Sequence, residues 1–255
     1  MTIKRWAVLA DIHGNRLALE AVIADLDRES ARQPLDGVIN LGDHLSGPLW
    51  PAETLALVMR QKWIHLSGNH DRQLAQLEVE AMGASDRYAR ARLTTADLTW
   101  LRALPRRVSI EDEILAFHGT PEDDCGYLLE TVVGGRAQLA STAEIEARLG
   151  RWRAPLMLCA HTHQPRVITL GEGRLVVNPG SVGLPAYETD DPVPHIAETG
   201  CVHARYAVVE QTASGWRVAL QAVSYDHLAA ARQAAANGRP DWEIALRTGR
   251  MAAPA

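Results

Sequence analysis

Five short apolar runs in this chain each break off at a polar turn carrying aspartate or histidine. Ile3 to Ala10 runs into Asp11-Ile12-His13-Gly14-Asn15, and Val38 to Leu41 into Gly42-Asp43-His44. Trp63 to Leu66 leads to Ser67-Gly68-Asn69-His70-Asp71, Ile114 to Phe117 to His118-Gly119, and Pro155 to Ala160 to His161-Thr162-His163. Short apolar runs bounded by turn residues are the pattern of strands buried on both faces. Helical periodicity over Arg16–Glu29, Ala52–Gln61 and Thr142–Leu149 separates them. Strands alternating with helices predict an α/β sheet, where sites gather beyond the carboxyl ends of the strands.

The remaining chain fills in around that frame. Arg72 to Leu104 reads as helical, with a start near Thr94 or Thr95. Hairpins are predicted at Arg106–Ile110 with Ile114–Phe117, at Arg166–Leu170 with Leu175–Val177, and at Ala204–Val209 with Trp216–Val223. Asp226 to Asn237 reads as a helix, and another starts near Pro240. Ala186 to Cys201 reads as a polar loop, longer than the fold needs.

The 255 residues, 47% of them apolar, fit one domain over 1–255, with 122–150 and 185–203 as candidate cap or pocket-lining segments. No window approaches the ~18 apolar residues of a membrane span. Met1 to Arg5 leads straight into the first strand, which predicts no secretory leader. Cys125, Cys159 and Cys201 have spacings that predict reduced thiols, and with them a cytoplasmic protein. Lys and Arg number 26 against 31 Asp and Glu, a net charge of −5 that argues against a nucleic-acid partner.

The strand-end residues form a chemical set: Asp11, His13, Asp43, Asn69, His70, His118, His161 and His163. Carboxylates, imidazoles and one carboxamide suit Mn, Fe, Zn, Co or Ni better than Ca or Mg. So many donors exceed one tetrahedral site and match two ions sharing a carboxylate. Two ions ~3.5–4 Å apart form the clamp used for phosphate-ester hydrolysis.

Taken together, Asp11-x-His13, Gly42-Asp43, Gly68-Asn69-His70-Asp71, His118-Gly119 and His161-Thr162-His163 resemble the calcineurin-like metallophosphoesterase superfamily, in the family's order. Asn178-Pro179-Gly180-Ser181-Val182-Gly183 resembles its small bacterial and archaeal branch, loosely described as phosphodiesterases and diadenosine-polyphosphate hydrolases. The resemblance implies a four-layer αββα sandwich of two mixed sheets flanked by helices. It implies a phosphoesterase cleaving mono- or diesters, of nucleotide type among others, by attack of a hydroxide bridging two metals. Asp11, His13 and His163 would hold the first ion, Asn69, His118 and His161 the second, and Asp43 both. His70 would protonate the leaving oxygen, oriented by Asp71, a role worth ~10²–10⁴-fold. His44, Arg205 and Tyr206 are the candidate substrate contacts.

Two departures stand out. Ala160 occupies the place where the family has glycine before the final motif. The second block, Gly42-Asp43-His44-Leu45-Ser46-Gly47-Pro48, lacks the later aspartate or arginine of protein phosphatases. That counts against a phosphoprotein phosphatase. The other rival is a catalytically idle scaffold on the same fold, which the full set of ligand positions disfavours.

Overall fold

The computed structural model describes residues 4–251. The predicted strand start at Ile3 and the stretch 252–255 lie outside the described residues. The chain begins β1 (Arg5–Leu9), α1 (Arg16–Arg32), β2 (Gly37–Asn40), α2 (Pro51–Val58) and β3 (Ile64–His65). Then come α3 (Asn69–Gln76), α4 (Ala84–Arg90), α5 (Thr95–Ala103), β4 (Arg107–Ile110), β5 (Ile114–Phe117), β6 (Glu130–Val133) and β7 (Arg136–Leu139). After α6 (Thr142–Leu149) follow β8 (Leu156–Leu158), β9 (Arg166–Thr169), β10 (Leu175–Asn178), β11 (Ala186–Thr189) and β12 (His195–Glu198). The hairpin β13 (Ala204–Thr212) and β14 (Gly215–Val223) precedes α7 (His227–Ala236) and α8 (Pro240–Thr248).

Two mixed five-stranded sheets, ordered β14-β13-β1-β2-β3 and β4-β5-β8-β10-β9, pack face to face. Alternation along each strand explains the layers. Val8 of β1 and Ala10 just beyond it meet Ile114, Ala116, Leu156 and Leu158 between the sheets. Ala7 and Leu9 point the other way, onto Ala18, Leu19, Val22 and Leu26 of α1. In the second sheet Leu115, Phe117 and Met157 turn outward onto Ile145 and Leu149 of α6. The result is helix, sheet, sheet, helix, the sandwich expected from sequence. Helix α1 starts where Asn15 Oδ1 accepts from the Ala18 amide at 3.2 Å.

A third sheet, β11-β12-β7-β6, stands outside the sandwich. It corrects the reading of Ala186 to Cys201 as a loop. Its strands are short and largely polar, and β7 and β12 join across 60 residues through one bridging pair, Ile196 with Arg136. No local apolar pattern announces such a sheet. The expected helical stretch Arg72–Leu104 is likewise three helices, interrupted around Glu78–Gly83 and Arg92–Thr94. Thr94 restarts it with a capping box closed by Asp97. The three cysteines carry no disulfide. Among the described residues no helix is long and apolar enough to cross a membrane.

Candidate active site

The donor residues sit just past the strand ends, on backbone that side chains seldom adopt. Asp11, His13, Asp43, His161 and His163 all have left-handed φ, between 51° and 70°. The other non-glycine cases among the described residues, Glu111, Asp112 and Glu172, are in turns. Left-handed backbone at such residues costs about 1–3 kcal/mol each and persists where the surroundings over-determine it. Asp11 and His13 therefore do not share a face of extended chain, as their spacing suggests; two left-handed turns aim them instead. Gly68 lies so close behind Asp43 that a Cβ there would sit 2.2 Å from Asp43 Oδ1.

Four imidazoles share one arrangement. His13 Nδ1 donates to the Ser46 carbonyl (2.8 Å), His163 Nδ1 to Leu184 (2.8 Å) and His118 Nδ1 to Leu41 (2.9 Å). His161 donates from Nε2 to the Cys125 carbonyl (3.0 Å). A carbonyl can only accept, so each ring keeps its proton there and offers its other nitrogen as a lone pair. These nitrogens converge with the carboxylates in two groups, Asp11-His13-His163 and Asp43-His118-His161. His13 Nε2 and His163 Nε2 are 3.1 Å apart. Two lone pairs facing at that distance repel unless a positive charge lies between them. His118 Nε2 stands 3.1 Å from Asn69 Oδ1 and 3.3 Å from Asp43 Oδ2. Asp43 Oδ2 also reaches to 3.9 Å from His13 Nε2, so it spans the two groups. Both oxygens of Asp11 are buried without a hydrogen-bond partner among the described residues. Lone-pair imidazoles around orphaned carboxylate oxygens fit metal ions.

The electrostatics agree. Burial pushes the Asp11 carboxyl up to about 8, the position of a carboxylate lacking a compensating cation. Burial lowers His13 to about 4, His161 to about 3 and His163 well below the usual range, keeping them in the neutral form that ligates. His118 is the exception: burial opposes its charge, but Asp43 beside it outweighs that and lifts it to about 10, so without a cation beside it Nε2 keeps a proton that a bound ion would displace.

His70 stands at the edge of the cluster. Its Nδ1 donates to Asp86 Oδ1 at 2.9 Å. Burial disfavours its charge, yet Asp43 and Asp86 together raise it to about 9. The partner that orients His70 is thus Asp86 on α4, not Asp71. Asp71 faces the other way, accepting from the amides of Asp43 (2.8 Å), His44 (3.1 Å) and Gly68 (2.9 Å) and from His44 Nδ1 (2.9 Å). It ties the Asp43 turn to the Asn69 turn. His44 is fully buried behind Asp43, and its Nε2 meets His65 Nδ1 at 3.2 Å, so it is not a substrate contact. Tyr206 is fully buried against α1, its hydroxyl on Asp25, and it too leaves the substrate role. Arg205 packs on Gly180 and does not line the cavity above the donors.

Other stretches that the sequence singles out acquire contacts that it did not specify. The Asn178–Gly183 block clasps both donor turns: Ser181 Oγ and the Gly183 amide donate to the Asp11 carbonyl at 2.8 and 2.9 Å. Asn178 Nδ2 donates to the Ala160 carbonyl at 3.0 Å. A Cβ on Gly183 would lie 1.8 Å from the Ile12 carbonyl. Above the donors opens a cavity of about 520 Å³, walled by Tyr127, by Tyr187 and Glu188 of β11, and by Arg239 and Trp242 at α8. Tyr127 and Tyr187 share a 2.8 Å hydroxyl contact, and Tyr127 meets His195 Nε2 at 2.9 Å.

A sequence profile described as calcineurin-like phosphoesterase matches residues 4–165. A metallophosphoesterase from Sphaerobacter thermophilus shares 24% identity and superimposes with a TM-score of 0.73, over 97% of this chain and 100% of its own. A hypothetical protein from Pyrococcus horikoshii OT3 shares 19% identity with a TM-score of 0.72, over 98% of this chain and 99% of its own. These two likenesses concern the fold. No curated protein matches the chain.

Proposed function

The chain belongs to the calcineurin-like phosphoesterase family, and from its site we propose that it hydrolyses phosphate mono- or diesters with two transition-metal ions at the strand ends. The observation that carries this reading is the set of four imidazoles that each spend their proton on a backbone carbonyl and turn a lone pair inward. Asp11, His13 and His163 would hold one ion, Asn69, His118 and His161 the other, and Asp43 both. The donor set suits Mn, Fe, Zn, Co or Ni. Bound there, the pair would neutralise phosphoryl oxygens and bring the pKa of a water toward neutrality.

The chain's own side chains supply the remaining steps. His70, which Asp43 and Asp86 keep protonated at neutral pH, would deliver a proton from Nε2 to the leaving oxygen. Asp86 is a positioning residue that fixes the ring and keeps it charged. Asp71 holds the turn beneath Asp43. Burial pushes the Cys125 thiol up to about 12, so it offers no thiolate nucleophile at neutral pH. That removes Cys125 as a covalent nucleophile.

The test pairs elemental analysis with turnover of bis(p-nitrophenyl) phosphate by protein supplied with manganese, iron or zinc. Two ions per chain and turnover lost on chelation are expected. An inert protein holding two ions would leave a binding scaffold as the better reading.

A further inference from the structure

The cavity above the donors is sparing in positive charge. Its only Arg or Lys among the described residues is Arg239. That guanidinium is already occupied: Nε and Nη2 donate to Asp241 at 2.9 and 2.6 Å, and Nη1 donates to Ser85 Oγ at 2.9 Å. The amide of His70, at the start of α3, is taken by Asp43 Oδ1 at 2.9 Å. Asp86 is committed to His70. Glu188 and Asp191, by contrast, line the cavity, are exposed, and have no ion-pair partner among the described residues. The walls thus carry two uncompensated carboxylates and, apart from His70, the proton donor at their foot, no spare cationic donor. The aromatic rings of Tyr127, Tyr187 and Trp242 complete them.

Resting on the phosphoesterase reading, we propose that the site takes esters of a single phosphate whose alcohol is uncharged or cationic, and rejects polyphosphates. One phosphoryl group is matched by the donor cluster at the cavity floor. Each further phosphate would enter facing Glu188 and Asp191 with no free arginine fork to receive it. An ammonium group would meet carboxylates and aromatic rings, both of which attract it. This sets the chain apart from diadenosine-polyphosphate hydrolysis, one of the activities that the sequence resemblance brings with it.

Three p-nitrophenyl phosphodiesters test this: their second alcohol is choline, ethanol or 3-hydroxypropionate. The reacting phosphate and leaving group are the same in all, so differences report the wall. On manganese-loaded protein, kcat/KM is expected to fall from choline to ethyl to carboxylate ester, spanning about tenfold at low salt. The double variant Glu188→Gln, Asp191→Asn should compress that span to about twofold. An equal or reversed order overturns the proposal. The matching p-nitrobenzylphosphonates, with a methylene in place of the scissile oxygen, titrated calorimetrically into the manganese-loaded protein give the affinity order without turnover. No turnover with the affinity order intact would count against the phosphoesterase reading alone; turnover without the order would count against this inference alone.

Discussion

The floor and the walls of the cavity are built on opposite terms. The floor is backbone-directed: five donors sit in left-handed turns at strand ends, and four imidazoles are fixed by carbonyls of neighbouring loops. Its residues are almost all buried, and its turns are held by both central sheets. The walls come from the third sheet, from α8 and from the interrupted helices α3 and α4, and they present side chains that bond to each other. A rigid floor with separately built walls lets chemistry stay constant while substrate preference varies. If that division is right, damage to the floor should be catastrophic and damage to the walls graded.

The largest effects should come from the floor. Asp43→Ala removes the one carboxylate that spans both donor groups. Turnover should fall at least about 10³-fold and bound metal should drop, read by a kinetic assay beside elemental analysis. Gly183→Ala would press a methyl onto the Ile12 carbonyl, where the gap is 1.8 Å. It should unfold the protein or lower its Tm by more than about 5 °C. The matching change in the third sheet, Gly134→Ala, meets nothing within 4 Å and strains only a φ of 58°. That should cost about 1 kcal/mol by thermal melting and leave metal content unchanged. Equal damage from both glycine variants would erase the division.

His70 and Asp86 sit where floor meets wall. His70→Ala should slow poor leaving groups about 10²–10⁴-fold, with metal content near normal. Loss of metal in that variant would mean that His70 is a ligand. Asp86→Asn should cost less, about tenfold, and carry a signature that a merely structural change would not. Burial opposes charge on His70, and Asp43 and Asp86 lift it to about 9. A general acid works while protonated, so kcat declines as pH rises through its pKa. Without Asp86 that pKa drops, and the alkaline decline of kcat should begin at lower pH. A pH profile of kcat that keeps its alkaline limb in place would remove Asp86 from the mechanism.

This same division explains what could be read without a structure. Asp11, Asp43, His118 and their partners announce themselves because each ends an apolar run, and the chemistry of the set needs no knowledge of distant contacts. The runs predict an α/β sheet; its division into two sheets is what the family resemblance implies. Asp86 was hidden because it lies in the first turn of another helix sixteen residues from His70, and only the break between α3 and α4 brings it back. The third sheet was hidden because one bridging pair sixty residues apart joins its halves. Asp71 misled for a related reason: adjacency to His70 suggested contact, whereas neighbours on a helix diverge by about 100°. His44 and Tyr206 misled because proximity in sequence to a donor or turn says nothing about which face of the sheet a side chain takes.

A smaller effect belongs to the walls. Tyr127→Phe breaks a hydroxyl chain from Tyr187 to His195 without touching any donor nitrogen. KM should shift a few-fold with kcat little changed, as for an interaction equal in ground and transition states. A fall in kcat of a hundredfold would move Tyr127 into the floor's machinery.

The smallest effect lies behind the floor, and it separates support from chemistry. His65 hydrogen-bonds His44, which in turn serves Asp71. Burial, then the neighbouring His44, lowers its pKa from 6.5 to about 3. The unfolded chain therefore takes up a proton below 6.5 that the folded protein refuses until about 3. Stability that is complete above pH 6.5 is lost progressively as pH falls through that window. At pH 5 the loss from this group is at most about 2 kcal/mol, or about 4–8 °C in Tm for a chain of this size. His65→Gln removes the titration, so the variant's Tm should fall less between pH 7 and pH 5 than that of the unmodified protein. The comparison is between slopes, which sets aside whatever the substitution costs in packing at neutral pH. If the two slopes coincide, His65 titrates alike in folded and unfolded chain, and the relay behind Asp43 is not the dry support that its burial describes.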